Sequence, residues 1–319
     1  MLIDVIFLIA GMVLLIKGAD WFVSGSSKIA KAMKIPPLII GLTLVSMGTS
    51  APEASVSINS ALNGMNDMSI GNVVGSNIFN TLFILGVSSL IVPLSIKKDL
   101  KAYDIPWMVT LYCILLLFAF VVTPLKLDLF ESVTMLVLFV AYTAFLLFRT
   151  KKQNKKTEGV SERAPEQKQK IRIVPSILLT VIGLVAIIFG GDLVVDHAAQ
   201  IAKALGMSEV LVGLTIVAVG TSLPELVTSI VASVKKENDI AVGNVVGSNL
   251  FNILFILGLS SSINNVTLAW STWTDMLVLL CSGILIMLIA FFSKKINRWH
   301  GIVMILLYIC YLAFIIIRN

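Results

Sequence analysis

Long apolar stretches alternate with short polar breaks along almost the whole chain. Ten can be marked, at roughly 2–32, 37–62, 69–93, 103–123, 127–148, 173–204, 208–233, 240–263, 272–293 and 298–317. Each is about long enough to cross the ~30 Å hydrocarbon layer as a helix, which predicts an all-α membrane protein with ten transmembrane helices. The first and sixth stretches exceed that length. Their second halves, WFVSGSSKIAKAM and LVVDHAAQIAKAL, are amphipathic, the pattern of tilted helices that reach the interface. The longest polar stretch, RTKKQNKKTEGVSERAPEQKQKIR at 149–172, has the composition of a flexible connector. It divides the chain into two five-helix halves, 1–148 and 173–319. With an odd number of spans in each, the second half must enter the membrane in the opposite sense, as an inverted-topology repeat.

Composition sharpens this picture. The 319 residues are 57% hydrophobic and 13% charged, and the mean hydropathy is +0.97, far from any soluble domain. Cys113, Cys281 and Cys310 lie in apolar runs and read as small buried hydrophobes. Asp4 stands where a signal peptide would be basic, so residues 1–33 read as a retained first span. The net charge of +6 could point to nucleic acid, but its placement follows the positive-inside rule. With the N-terminus outside, the cytoplasmic loops hold Lys28, Lys31, Lys34, Lys97, Lys98, Lys101, Lys235, Lys236, Lys294, Lys295, Arg298 and the linker, whereas the outside holds only Lys126, Lys203 and Arg318. The expected setting is the cell membrane, with both termini extracellular and the linker cytoplasmic.

The chain also repeats itself at an offset of 172 residues. GLTLVSMGTSAPEAS at 41–55 returns as GLTIVAVGTSLPELV at 213–227, and GNVVGSNIFNTLFILG at 71–86 as GNVVGSNLFNILFILG at 243–258. The two repeats thus carry motifs spanning 41–86 and 213–258. Each first motif places a glutamate, Glu53 or Glu225, inside an apolar stretch, where a carboxylate is costly and marks function. Pro52 and Pro224 have no N–H and clash one turn back, which frees the carbonyls of Gly48 and Gly220. Such freed backbone is tolerated in a membrane only where something satisfies it, and the C-terminal end of a half-helix is partially negative. Thr49 and Ser50 add hydroxyl oxygens beside Glu53. Ser76 and Asn80, four residues apart, share one helix face and can meet them. Thr221, Ser222, Glu225, Ser248 and Asn252 repeat the set. All-oxygen ligation without Cys or His selects hard cations. Two negative charges match one divalent ion; calcium accepts this flexible collection better than magnesium, and sodium accepts the hydroxyls and carbonyls. Protons should compete with metal for the carboxylates.

Blander readings exist for many of these residues. Any one serine or threonine in an apolar helix is as well explained by bonding to its own backbone. Asn77 and Asn249 are assigned to structure, Asp20 and Asp192 to helix-terminal or partner hydrogen bonding, and Lys17 to snorkelling or a carboxylate partner. Glu53 and Glu225 lack an evident intramembrane base with which to pair.

The pairs GTSAPE with GNVVGSNIFN and GTSLPE with GNVVGSNLFN resemble the two α-repeats of the cation/calcium exchanger superfamily, in particular its microbial sodium/calcium exchangers. The resemblance covers almost the whole chain. It implies exchange of cytoplasmic calcium for external sodium by alternating access, with the first and sixth helices sliding across a bundle that holds the site. It implies calcium ligands Glu53, Glu225 and the carbonyls of Thr49 and Thr221. It implies sodium ligands Ser50, Ser76, Ser222 and Ser248, with the backbone oxygens of Ser46 and Ala218. Calcium and sodium are then transported ions, and no cofactor is expected. Asn252 stands where potassium-dependent relatives have aspartate, which argues against potassium co-transport. GNVVGSN lacks the glutamate usual after the GN of the proton-coupled branch, so a proton/calcium antiporter is the runner-up. A cation channel and an intramembrane enzyme using paired carboxylates are more remote; no Ser-His arrangement or aspartate dyad supports the latter.

Overall fold

The computed structural model describes residues 1–158, 173–207 and 218–318. Among these, eight helices are long and apolar enough to cross a membrane. They are α1 (Leu2–Ala32), α4 (Met68–Ile91), α5 (Leu100–Val122), α6 (Leu129–Lys152), α7 (Ile173–Ala204), α9 (Asn238–Ile263), α10 (Thr272–Phe292) and α11 (Arg298–Arg318). The second expected span is broken into α2 (Pro37–Thr49) and α3 (Ala51–Leu62). Of the seventh, α8 (Leu223–Val234) and a turn at Ala218–Gly220 are described, whereas 208–217 lie outside the described residues. Proline sets the breaks. Ser50 (φ −82°, ψ 11°) and Ser222 (φ −91°, ψ 6°) leave the helical region, and Pro52 and Pro224 sit in the next helix's first turn, where a missing N–H costs nothing.

The expected boundary at 149 is not where the helix ends. The helix begun at Leu129 continues to Glu158, because Arg149 is buried and donates from Nη1 to both carboxylate oxygens of Asp104 at 3.0 Å. Residues 159–172 of the linker lie outside the described residues.

Burial orders the helices. In their most apolar windows α4 is 72% and α9 89% buried, against 17% for α11, so α4 and α9 form the centre. Both widen into π-helical turns, at Phe79–Ile84 and Asn252–Leu257, a distortion frequent at functional sites. The cysteines correct the sequence reading. Cys113, Cys281 and Cys310 are free and exposed, on outer surfaces where the surrounding medium is lipid. Lys17 is also exposed.

α1 and α7 pack antiparallel along a seam of small residues. Gly11 meets Gly190, Gly18 meets Gly183, and Gly25 meets Ser176, each step of seven down one helix matching a step of seven up the other. A Cβ on Gly190 would stand 2.6 Å from the amide nitrogen of Leu15, and one on Gly183 2.5 Å from that of Phe22. Only glycine admits this approach.

Turn conformations recur at the repeat offset. Lys34 and Gly206 end α1 and α7 with φ of 54° and 93°, and Gly64 and Lys236 follow α3 and α8 with φ of 73° and 63°. The lysines hold a left-handed conformation that glycine takes without strain. Two short antiparallel ribbons join loops from the two halves: β1 (Leu94–Ser95) with β4 (Lys295–Ile296), and β2 (Lys126–Leu127) with β3 (Val266–Thr267). The basic loops share one end. Besides the β1–β4 ribbon, Lys31 pairs with Glu237 at 3.7 Å, Lys97 with Asp239 at 3.0 Å, Lys235 with Asp20 at 2.6 Å and Arg149 with Asp99 at 3.4 Å. Asp20 thus has the partner expected of it.

Gly190→Ala should lower thermal stability in detergent by about 1–3 kcal/mol. Gly191→Ala, whose Cβ would meet Pro224 at an ordinary 3.8 Å, should leave it unchanged.

Candidate functional site

The two proline breaks face each other across the centre of the bundle. Glu53 lies in the first turn of α3 and Glu225 in that of α8, and both have 0% exposure. Each is held by a serine from the other half. Ser50 Oγ donates to Glu225 Oε1 at 2.7 Å, and Ser222 Oγ donates to Glu53 Oε1 at 2.9 Å. Ser248 Oγ lies 3.4 Å from both Glu225 Oε1 and the main-chain oxygen of Ser46. No base accompanies the carboxylates; the salt bridges among described residues all involve other acids.

The remaining oxygens are informative. Glu53 Oε2, Glu225 Oε2, Asn80 Oδ1, Asn252 Oδ1 and Thr221 Oγ1 are buried with no hydrogen-bond partner. Buried acceptors are seldom left so. Here two carboxylate and two amide oxygens recur as a symmetric set, one of each per repeat. Among the described residues no cluster of three or more His, Cys, Asp or Glu could hold a metal. What the arrangement offers is two charges supplemented by neutral oxygens, a donor set for hard cations.

The structure gathers Ser50, Ser248 and the Ser46 carbonyl about Glu225 and sets Ser222 on Glu53, whereas Ser76, Asn80 and Asn252 bond within a separate set that includes Asn77 and Asn249. Ser76 Oγ donates to Val73 O at 3.2 Å and accepts from Asn252 Nδ2 at 3.1 Å. The Thr49 side chain lies beside the Glu225 carboxylate as well as against its own helix. Its Oγ1 faces Asn244 Oδ1 at 3.0 Å and the carbonyls of Val45 and Ser46 at 3.2 and 3.3 Å. Ala218 opens the described part of its segment.

Sequence reasoning passed over Asn72 and Asn244. Asn72 Nδ2 donates to Glu53 O at 3.1 Å and Ser57 Oγ at 2.9 Å. Asn244 Nδ2 donates to Glu225 O at 3.4 Å and Ser229 Oγ at 3.0 Å. Each clamps the glutamate-bearing turn to the helix beside it. The signal was present in the repeated GN dipeptide and in Ser57 and Ser229, both four residues beyond their glutamates. Asn77 and Asn249, read as structural, bridge α4 and α9 directly, with Asn77 Nδ2 donating to Asn249 O at 3.1 Å.

With this geometry in view, the profile of the sodium/calcium exchanger protein family matches residues 3–148 and 175–317. The chain belongs to that family. It is 30% identical over 348 residues to the sodium/calcium exchanger MaX1 of Methanosarcina acetivorans, covering 98% of each chain. It is 36% identical over 265 residues to the inner membrane protein YrbG of Escherichia coli, covering 82% of this chain and 81% of the relative. Its fold is similar to that of the sodium-calcium exchanger NCX_Mj soaked with 2.5 mM Na+ and 0.1 mM Ca2+, with a TM-score of 0.84 and 32% identity over 98% of both chains. The chain is therefore an all-helical membrane exchanger of ions and not an enzyme.

Asn244→Leu removes three buried hydrogen bonds and Asn72→Leu two, one tier less buried. Thermal melts in detergent should show both destabilised, by about 1 kcal/mol per bond, with Asn244→Leu the lower.

Proposed function

We propose that this chain is a secondary antiporter exchanging calcium for sodium by alternating access. The observation that carries the reading is the crossed pair of carboxylates. Glu53 and Glu225 come from different repeats, are fully buried, are each held by the other repeat's serine, and each keep a second oxygen unpartnered. Two carboxylates with amide oxygens at hand replace a hydration shell around a divalent ion and balance its charge. Glu53 and Glu225, with the carbonyls of Thr49 and Thr221, would hold calcium. Ser50, Ser76, Ser222 and Ser248, with the carbonyls of Ser46 and Ala218, would hold sodium, and Asn80 and Asn252 would lend amide oxygens to the shared centre. The likeness to MaX1 and NCX_Mj, both sodium/calcium exchangers, favours sodium as the counter-ion.

The wider reading follows from the same features. Residues 1–148 and 173–319 form two five-helix repeats of inverted topology, ten spans in all, joined by a cytoplasmic linker at 149–172. The antiparallel packing of α1 on α7 and the recurrent left-handed turns support it. The end that gathers the basic loops would be cytoplasmic in the cell membrane, with both chain termini outside. The pair α1 and α7, joined through glycine, would slide as a unit to expose the site on alternate sides.

Vesicles loaded with calcium and given an inward sodium gradient should release it. Glu53→Gln and Glu225→Gln should each abolish that flux while leaving the melting profile intact. Absence of sodium-dependent flux in the native chain would reject the assignment, and equal flux driven by a pH gradient without sodium would select proton coupling instead.

Protons and calcium compete for the same carboxylate oxygens, so calcium transport should fall as the pH is lowered below about 6. A flat profile across that range in initial-rate measurements would contradict a shared carboxylate site.

A further inference from the structure

The buried amide oxygens of Asn80 and Asn252 are left without a partner only because each amide is held one way round, and the structure shows what holds them. Asn252 Nδ2 spends its two protons on Asn77 Oδ1 at 3.0 Å and Ser76 Oγ at 3.1 Å. Asn77 Oδ1 is free to accept because Asn77 Nδ2 donates to the main-chain carbonyl of Asn249 at 3.1 Å. A backbone carbonyl cannot donate, so the whole sequence of bonds has one polarity. The second sequence runs the other way across the interface. Asn80 Nδ2 donates to Asn249 Oδ1 at 3.2 Å, and Asn249 Nδ2 donates to Thr81 Oγ1 at 2.8 Å, with Met108 Sδ at 3.7 Å beside it. All six residues, Ser76 included, are buried. Each relay ends with an unpartnered amide oxygen, Asn252 Oδ1 or Asn80 Oδ1.

We propose that Asn77 and Asn249 are positioning residues that fix the amide orientation of Asn252 and Asn80, so that each offers the cation an oxygen and never an N–H. Neither touches the ion. The assignment rests on the calcium site proposed above. An inverted amide would direct a positive N–H edge at a divalent ion, replacing attraction by repulsion. Substitution of partners that orient metal ligands costs about 10–100-fold in affinity, and the relays have that function here. The two anchors differ. The Asn249 carbonyl can only accept, whereas the Thr81 hydroxyl can also donate. The Asn252 amide is thus held more firmly than that of Asn80.

The test is calcium titration by calorimetry on the purified full-length chain. Asn77→Leu should weaken calcium binding about tenfold or more. Asn252→Asp should restore most of that loss in the Asn77→Leu background, because a carboxylate presents oxygen whichever way it turns. In the native background the same change should shift affinity by a different factor. An equal factor in both backgrounds, or native affinity in a folded Asn77→Leu chain, would overturn the proposal. Thr81→Val, nearly isosteric and remote from the ion, covers the case in which Asn77→Leu does not fold. It should weaken binding about threefold to tenfold, with Asn80→Asp restoring it; unaltered affinity there also overturns the proposal. If the native chain binds no calcium at all, the underlying site reading fails, an outcome separate from these.

Discussion

Two carboxylates at the centre of a bundle in hydrocarbon are the constraint to which the rest of the structure answers. An isolated buried charge is costly enough that proteins neutralise, pair or ligate it. Among the described residues no cation approaches, and one oxygen of each glutamate is met by a hydroxyl from across the molecule. A neutral donor lowers the cost of the charge without cancelling it. Under the proposed function, the electrostatics would be completed by an ion that arrives and departs.

The surrounding polar groups fall into three sets. Ser50, Ser222 and Ser248 reach the glutamates themselves; Asn72 and Asn244 secure the turns that carry the acids; and Asn77 and Asn249 join α4 to α9 and hold the amides of Asn252 and Asn80. Most of these bonds cross between the repeats or recur in both. The halves are not equivalent, however. Thr81 supports Asn249, but the corresponding position in the second half is Ile253, and the hydroxyl of Thr49 is engaged where that of Thr221 is not.

Much of this was legible in the residues. Duplication exposed Glu53 and Glu225, and Pro52 and Pro224 located the breaks, because a missing amide proton has the same consequence in any context. The direction of hydrogen bonds was not legible. Whether Asn77 serves the site or the scaffold depends on helix rotation, which spacing along one chain does not give. Hydropathy also failed to separate an interior from a lipid-facing surface, since both select apolar residues; hence the exposed Cys113, Cys281 and Cys310. Arg149 reads as the start of a connector, yet Asp104, one helix away, draws it into the bundle. A partner distant in sequence overrides the local polarity.

The reciprocal serine contacts also bear on biosynthesis. Ser222 emerges from the ribosome 169 residues after Glu53, so α1 to α7 are made before the hydroxyl that eases this buried acid exists. The two ribbons close only with strands from the later half, β3 and β4. The nascent first half is therefore an incomplete object that the membrane must shelter until its counterpart is threaded in.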